Sequence, residues 1–193
     1  RDLRVGRRVV VIGAGNTAID AATQAKRLGA ERVTIVYRRS RAEMPAYEYE
    51  YELAKTDGCE FRFLTSPVRI VGAAHVDGVE CVRMQLGDPD ASGRRSVSPV
   101  AGSEHTLDAD LVVKALGQTS RSDLLRQFPG VTLDGGRVVI DAATGQTKNP
   151  KVFAGGDCTS GGAEIVNAAA DGKRAAAAIH ALLTANATET SHG

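Results

Sequence analysis

Nothing in these 193 residues amounts to a membrane span, a thiolate cluster or a surplus of charge. There is no uninterrupted apolar run of the roughly 18 residues that a bilayer-crossing helix needs. The formal net charge is +1, so no general polyanion-binding surface is implied and nucleic acid is not an expected partner; any basic function must be local. The three cysteines, Cys59, Cys81 and Cys158, are far apart and form no CxxC pair. That spacing encodes no zinc or iron–sulfur site and counts against a dithiol reductase. They read as three reduced thiols of a cytoplasmic protein, with Cys158 alone adjoining a motif treated below. An initiator Met and a charged-then-apolar leader are also missing. The start at Arg1-Asp2-Leu3 therefore reads as mid-stream, a piece of something longer. What remains is an ordinary globular composition, 42% apolar, with length for one good core or two small domains.

The opening segment alternates strand and helix signals. Residues 8–12 are a short, continuously apolar, β-branched run, the pattern of a strand buried on both faces. Residues 16–28 carry Ala18, Ile19, Ala22, Ala25 and Leu28 at helical spacing, and Gly29 stops them. Val33 to Tyr37 form a second buried strand, which completes a βαβ-type unit and predicts a parallel sheet. In YEYEYELAKTDG the Tyr/Glu alternation would suit a strand. The Ala-Leu-Lys content and the Asp57-Gly58 stop instead predict a helix with Tyr47, Tyr51 and Ala54 on one side, followed by a strand over 60–64. From 67 to 108 short β segments and polar turns such as DPDASGRR predict a β-meander appended to the sheet. Residues 110–116 read as another buried strand, ending at Gly117. A connector, QTSRSDLLRQFPG, leads to a strand region at GGRVVID, an Ala-rich helix over 163–183 and a small polar tail. A boundary falls between Gln118 and Gly130, and the shorter second part, with one helix and few strands, is half of something.

Gly13-Ala14-Gly15-Asn16-Thr17-Ala18 fits G-x-G-x-x-A between a strand and a helix. Gly13 permits the tight turn, Gly15 lets backbone approach a pyrophosphate, and Ala18 allows close helix–strand packing. Free N–H groups and the positive end of the helix dipole then face the phosphates, with Asn16 and Thr17 at the tip. Cofactor choice is made at the end of the second strand. An NAD site carries Asp or Glu there to accept bonds from the ribose hydroxyls. Here the strand ends Tyr37-Arg38-Arg39, with Arg41 close behind. Guanidinium groups bind a 2′-phosphate that a carboxylate would repel. At roughly 1.5–3 kcal/mol per charged hydrogen bond, two arginines bias NADP over NAD by about 100-fold or more. The bland alternative is a solvated basic turn. Asp20, a turn and a half past the loop, lies near where a nicotinamide would extend; otherwise it is a solvent-exposed acid or half of a local ion pair.

A second signature is VFAGGDCTSGGAEIVNAAADG, over 152–172. A buried strand runs into Gly155-Gly156-Asp157, then small residues, then a helix start near Ala163-Glu164. By physics alone this is either a strand–helix turn or a site where one carboxylate meets a sugar-like hydroxyl.

VFAGGD, with the downstream helix and DGKRAA, resembles the C-terminal flavin motif of flavoproteins built from two dinucleotide-binding domains. Across nearly the whole chain, GRRVVVIGAGNTAID, VYRRSRAEMP, EFRF, GDPDASGRR, AGSEH and VFAGGD are together similar to a narrower group. That group comprises the glutamate synthase small (β) subunits and the flavin/NADPH half of dihydropyrimidine dehydrogenases. The resemblance implies an α/β fold: a Rossmann-like NADP(H)-binding domain with parallel sheet and β-meander (1–117), the C-terminal part of an FAD-binding domain (118–184), and a disordered tail (185–193). Members carry a cysteine-rich cluster-binding region and a first G-x-G-x-x-G ahead of this module, neither of which this sequence contains. Their NADPH domain is inserted into the FAD domain, so residues 117–193 correspond to its returning half. The resemblance further implies that Gly156 and Asp157 serve the ribityl–pyrophosphate part of FAD, that Ile165 approaches the flavin carbonyl edge, and that Asp20 positions the nicotinamide carboxamide. Gly117, at the strand end, joins the cofactor-binding set. The implied activity is transfer of a hydride from NADPH to FAD, then of electrons to Fe–S clusters or a partner subunit, with no catalytic side chain and no metal bound by this chain. A module that binds NADP(H) or a protein partner without flavin remains the alternative.

Overall fold

The computed structural model describes residues 5–91 and 93–190, with side chains as far as Ala185. In chain order the elements are β1 (Arg8–Ile12), α1 (Asn16–Arg27), β2 (Arg32–Val36), a 3₁₀ turn (Arg41–Glu43), α2 (Glu48–Thr56), β3 (Glu60–Arg62), β4 (Thr65–Val71), β5 (Gly78–Pro89), β6 (Arg95–Pro99), β7 (His105–Asp108) and β8 (Leu111–Lys114). There follow α3 (Ser122–Leu125), the two-residue strands β9 (Leu133–Asp134) and β10 (Arg137–Val138), α4 (Asp157–Ser160) and α5 (Ile165–Thr190). The chain divides into two compact units, Arg1–Gly117 and Gln118–Gly193.

In the first unit β1 is central because every residue from Val9 to Ile12 is apolar, and a strand without a polar face must be covered twice. It pairs in parallel with β2 (Val9↔Val33, Val11↔Ile35) and with β8 (Val9↔Leu111, Val11↔Val113), in the sheet order β3-β2-β1-β8. The period of two then sorts the side chains. Val9, Val11, Val33 and Ile35 pack with Ala18, Ile19 and Ala22 of α1 and with Ala54 of α2. Val10, Ile12 and Val36 pack on the opposite face against Val79 and Cys81 of β5. Each such fully buried Val or Ile contributes about 1.5–3 kcal/mol.

The expected β-meander is thus the cover for the sheet's second face, and it departs from a meander in its pairing. β5 pairs antiparallel with β4, β6 and β7, and β7 returns to β5 (Gly78↔Asp108, Cys81↔His105), the strand two back from it. Strand length explains this: β5 has 12 residues, enough to offer β6 one stretch and β7 another. β8, expected to be buried, is half-exposed, since it stands at the edge of the sheet with a partner on one side. α2 forms where the Tyr/Glu alternation competed with it. Tyr51 packs on Phe61, ring centroids 4.7 Å apart, and Ala54 is fully buried. Tyr47, expected on that same side, is exposed and stacks on Tyr49 instead, because it precedes the first helical turn.

The second unit has a thin core; among its described apolar residues Val138 is buried. The expected strand ahead of Gly155 is not regular: Phe153 makes one isolated bridge to Gln146, because Gln146 is all the ladder this stretch finds. The tail expected to be disordered from 185 is helical as far as Thr190, since Ala185 to Thr190 contain no Gly or Pro to end α5. Residues 191–193 of that tail lie outside the described residues. Among the described residues no helix is long and apolar enough to cross a membrane.

Candidate dinucleotide site

The turn after β1 is shaped by two glycines with different tasks. Gly13 has φ +125°, a conformation L side chains rarely adopt. A Cβ there would stand 2.2 Å from the carbonyl oxygen of Ala115. Gly13 is therefore required by the fold itself. Gly15 has φ −85°, which any residue tolerates, and a Cβ there would meet nothing nearer than Pro45 Cγ at 3.9 Å. The space it leaves is a cradle open to a ligand. Gly15 is also the N-cap of α1, which has no side-chain cap and no acid in its first turn. The positive end of α1 is thus free of competing anions.

The loop beyond β2 folds back onto this turn. Ala46 N–H donates to Ala14 O (3.2 Å) and Tyr47 N–H to Asn16 Oδ1 (3.2 Å). Asn16 therefore uses its side chain to anchor the start of α2. Thr17 is exposed and Ala18 fully buried, the latter in the close-packing role its size suggested.

The segment carrying the paired arginines is held from both sides. Leu64 N–H donates to Arg39 O and Thr65 N–H to Tyr37 O, each at 3.0 Å. Tyr37 O–H donates to Glu43 O at 2.8 Å, and partial burial pushes its phenol pKa above the ordinary value. Ser40 and Glu43 close a capping box on the 3₁₀ turn. Arg41 is spent elsewhere: its guanidinium pairs with Glu48 and lies 4.0 Å from the centre of the Tyr51 ring.

These elements enclose a cavity of about 670 Å³ at the carboxyl ends of β1, β2 and β8. Gly13, Ala14 and Gly15 line it, with Arg38, Arg39 and, from beyond β8, Leu116 and Gly117. The structure thus brings together five residues that the sequence singles out: Gly13, Gly15, Arg38, Arg39 and Gly117. Asp20 is exposed on α1 and not among the lining residues. Sequence reasoning missed Tyr37, Pro45, Ser66, Pro67 and above all Arg94, from the turn between β5 and β6. The lining holds three arginines and no carboxylate. Among the described residues none of the three is in an ion pair. Unneutralised cations beside a helix N-terminus make a receptor for phosphates.

In the second unit, Gly156 has φ +73° and its N–H donates to Asp171 Oδ2 at 2.8 Å. A Cβ on Gly155 would come within 2.7 Å of Asp171 Cβ, so Gly155 is a packing glycine. Asp157 opens α4 with its side chain exposed, and Ile165, the first residue of α5, is 88% exposed. For a flavin the fit is partial: the Asp157 carboxylate is available to a ribityl hydroxyl, whereas the Gly156 N–H is already taken. Of the cysteines, Cys59 and Cys81 are buried and Cys158 is exposed.

Residues 1–172 match the pyridine nucleotide-disulphide oxidoreductase family. The chain is 43% identical over 184 residues to the NADP(+)-dependent formate dehydrogenase subunit beta of Moorella thermoacetica, covering 95% of this chain and 26% of that protein. It is 41% identical over 177 residues to the glutamate synthase [NADPH] small chain of Escherichia coli K12, covering 89% and 38%. It thus spans about a quarter to two fifths of the length of these relatives. Among solved structures it is similar to the thioredoxin reductase of T. acidophilum, with a TM-score of 0.68 and 27% identity over 90% of this chain and 52% of that one. A parallel sheet whose first turn is this glycine cradle, together with a match spanning the greater part of the sequence, leads to one conclusion: the chain belongs to the pyridine nucleotide-disulphide oxidoreductase family.

Proposed function

We propose that this chain is the NADPH-binding part of a flavin-dependent oxidoreductase of the glutamate-synthase-small-subunit type, working in the cytoplasm. One observation carries the reading: a single cavity is lined by the Gly13-Ala14-Gly15 turn and by Arg38 and Arg39, with no acid among them. The pyrophosphate rests on the tip of α1, with Gly15 admitting its approach and the Asn16 and Thr17 N–H groups facing it. Arg38 and Arg39 hold the 2′-phosphate, Asp20 orients the nicotinamide, and Gly117 flanks the cofactor. Ala18 supports the cradle by letting α1 press on β1. Residues 1–117 form the NADP(H)-binding domain. Residues 118–184 form part of an FAD-binding domain, with Gly156, Asp157 and Ile165 toward the flavin.

When both cofactors are bound, NADPH supplies a hydride to the flavin. The chain's own residues align the dinucleotide and neutralise its phosphates; no side-chain acid, nucleophile or metal is called for. The names of two relatives, an NADP(+)-dependent subunit beta and an [NADPH] small chain, support NADP(H) as the cofactor and the presence of a partner subunit; that subunit or an Fe–S domain then takes the electrons.

Isothermal titration of the 193-residue chain with NADPH and with NADH tests the assignment. NADPH should bind about 100-fold or more tightly; equal affinities would refute it. The absorption spectrum of the intact protein, taken after unbound FAD is removed, separates this reading from a flavin-free binding module, which would show no flavin bands.

A further inference from the structure

We infer that Arg94 is a specificity-determining residue for the same cofactor, a third guanidinium on the 2′-phosphate delivered by the β5–β6 turn. The inference rests on the NADP(H) reading above. Arg94 is more than 50 residues downstream of the paired arginines and on a different layer, yet it lines the same cavity. Its neighbour shows that this is a placement and not an accident of a basic turn: Arg95 commits its side chain to Gly87 O, with Nε donating at 2.8 Å. Arg94 has no such acceptor and no ion pair among the described residues.

The turn that carries it is held by its own hydrogen bonds. Arg94 N–H donates to Asp90 Oδ1 (3.0 Å), Asp90 N–H to Arg94 O (3.0 Å) and Gly93 N–H to Asp90 O (2.8 Å). Gly93, at φ +79°, supplies the left-handed residue the turn needs. Arg38, Arg39 and Arg94 line the same cavity as Tyr37, and all three lie close enough to act on its hydroxyl, as does the Glu43 carboxylate with the opposite sign. Like charges facing one space repel one another, and a doubly charged phosphate relieves all three contacts at once. The sheet that covers the second face of the parallel sheet thereby acquires a second task, reading the phosphate that distinguishes NADP from NAD.

The test is titration of the full chain and its Arg94→Ala and Arg94→Lys variants with NADPH, NADH and 2′,5′-ADP. Arg94→Ala should weaken NADPH and 2′,5′-ADP by about 10-fold or more and leave NADH unchanged; Arg94→Lys, which keeps the charge but not the fork, should fall between. If wild type discriminates NADPH from NADH and Arg94→Ala discriminates equally well, Arg94 is overturned and the parent reading stands. If Arg94→Ala weakens both dinucleotides alike, Arg94 does not read the 2′-phosphate and the inference fails. If wild type itself shows no preference, both readings fall. Unchanged far-UV circular dichroism separates any of these from loss of fold, and the lysine variant decides the matter should the alanine variant not fold.

Discussion

The Cβ that Gly13 lacks would stand 2.2 Å from the carbonyl oxygen of Ala115, so the chain leaves β1 beneath the end of β8 only with glycine at that point. Two residues on, Gly15 has an ordinary φ and open space. The two therefore separate in experiment. Gly13→Ala should destabilise the protein by at least about 2 kcal/mol in urea denaturation, from backbone strain and overlap. Gly15→Ala should leave stability unchanged within about 1 kcal/mol while weakening NADPH by about 10-fold or more. Equal stability losses in the two variants would contradict the division of labour.

Arg38, Arg39 and Arg41 form one basic run in sequence but two populations in space. Arg38→Ala and Arg39→Ala should each cost NADPH about 10-fold or more and leave NADH nearly unaffected. Arg41→Ala should leave the NADPH/NADH ratio as it is, because that guanidinium is engaged by Glu48 and Tyr51. Calorimetry on the three variants reads both outcomes.

Thiol labelling distinguishes the cysteines. At pH 8 the folded chain should react rapidly with one equivalent of a thiol reagent, at Cys158, and with three in urea, since Cys59 and Cys81 are buried. Burial also holds the Cys81 pKa at about 11, against an ordinary value near 9. A thiol whose folded pKa is raised stays protonated after its unfolded counterpart has ionised. Stability is therefore fully present below about pH 9 and falls as pH climbs toward 11. The loss from this group is about 2–3 kcal/mol by pH 11. Urea midpoints at pH 8 and 10.5 should show a drop in wild type that is smaller in Cys81→Ala, once the variant's lower baseline is subtracted.

Limited proteolysis should cut within 118–193 before it cuts the first unit. The second unit has Val138 as its buried apolar residue among those described, while Phe128, Val166 and Leu183 stay exposed. Low local burial means low-cost opening. Mass spectrometry showing first cuts inside β1, α1 or β2 would contradict this.

Much of the first unit is legible in the sequence because its signals are local. A β-branched run without polar breaks is a twice-covered strand, and alanines at helical spacing are a helix that must lie close. G-x-G-x-x-A joins them by a turn whose glycine requirement is steric. What crosses between distant segments was not legible. The return of β7 to β5 depends on the length of one strand and the shape of the face it covers. Tyr47 missed its expected side because it is the N-cap of α2, with extended backbone, so the helical period that places Tyr51 and Ala54 does not reach it. In the second unit the stretch before Gly155 has the composition of a strand but finds in Gln146 a single bridging partner.

The sequence by itself determined the β-α-β unit, the glycine turn and the presence of arginines where an NAD site has an acid, because each follows from neighbours along the chain. Only the tertiary structure decided which arginines face the cavity: Arg41 is drawn off by Glu48 and Tyr51, while Arg94 is brought in from a turn on another sheet. The reason is physical. A charge's partner is set by distance in space, and folding shortens that distance without regard to position along the chain.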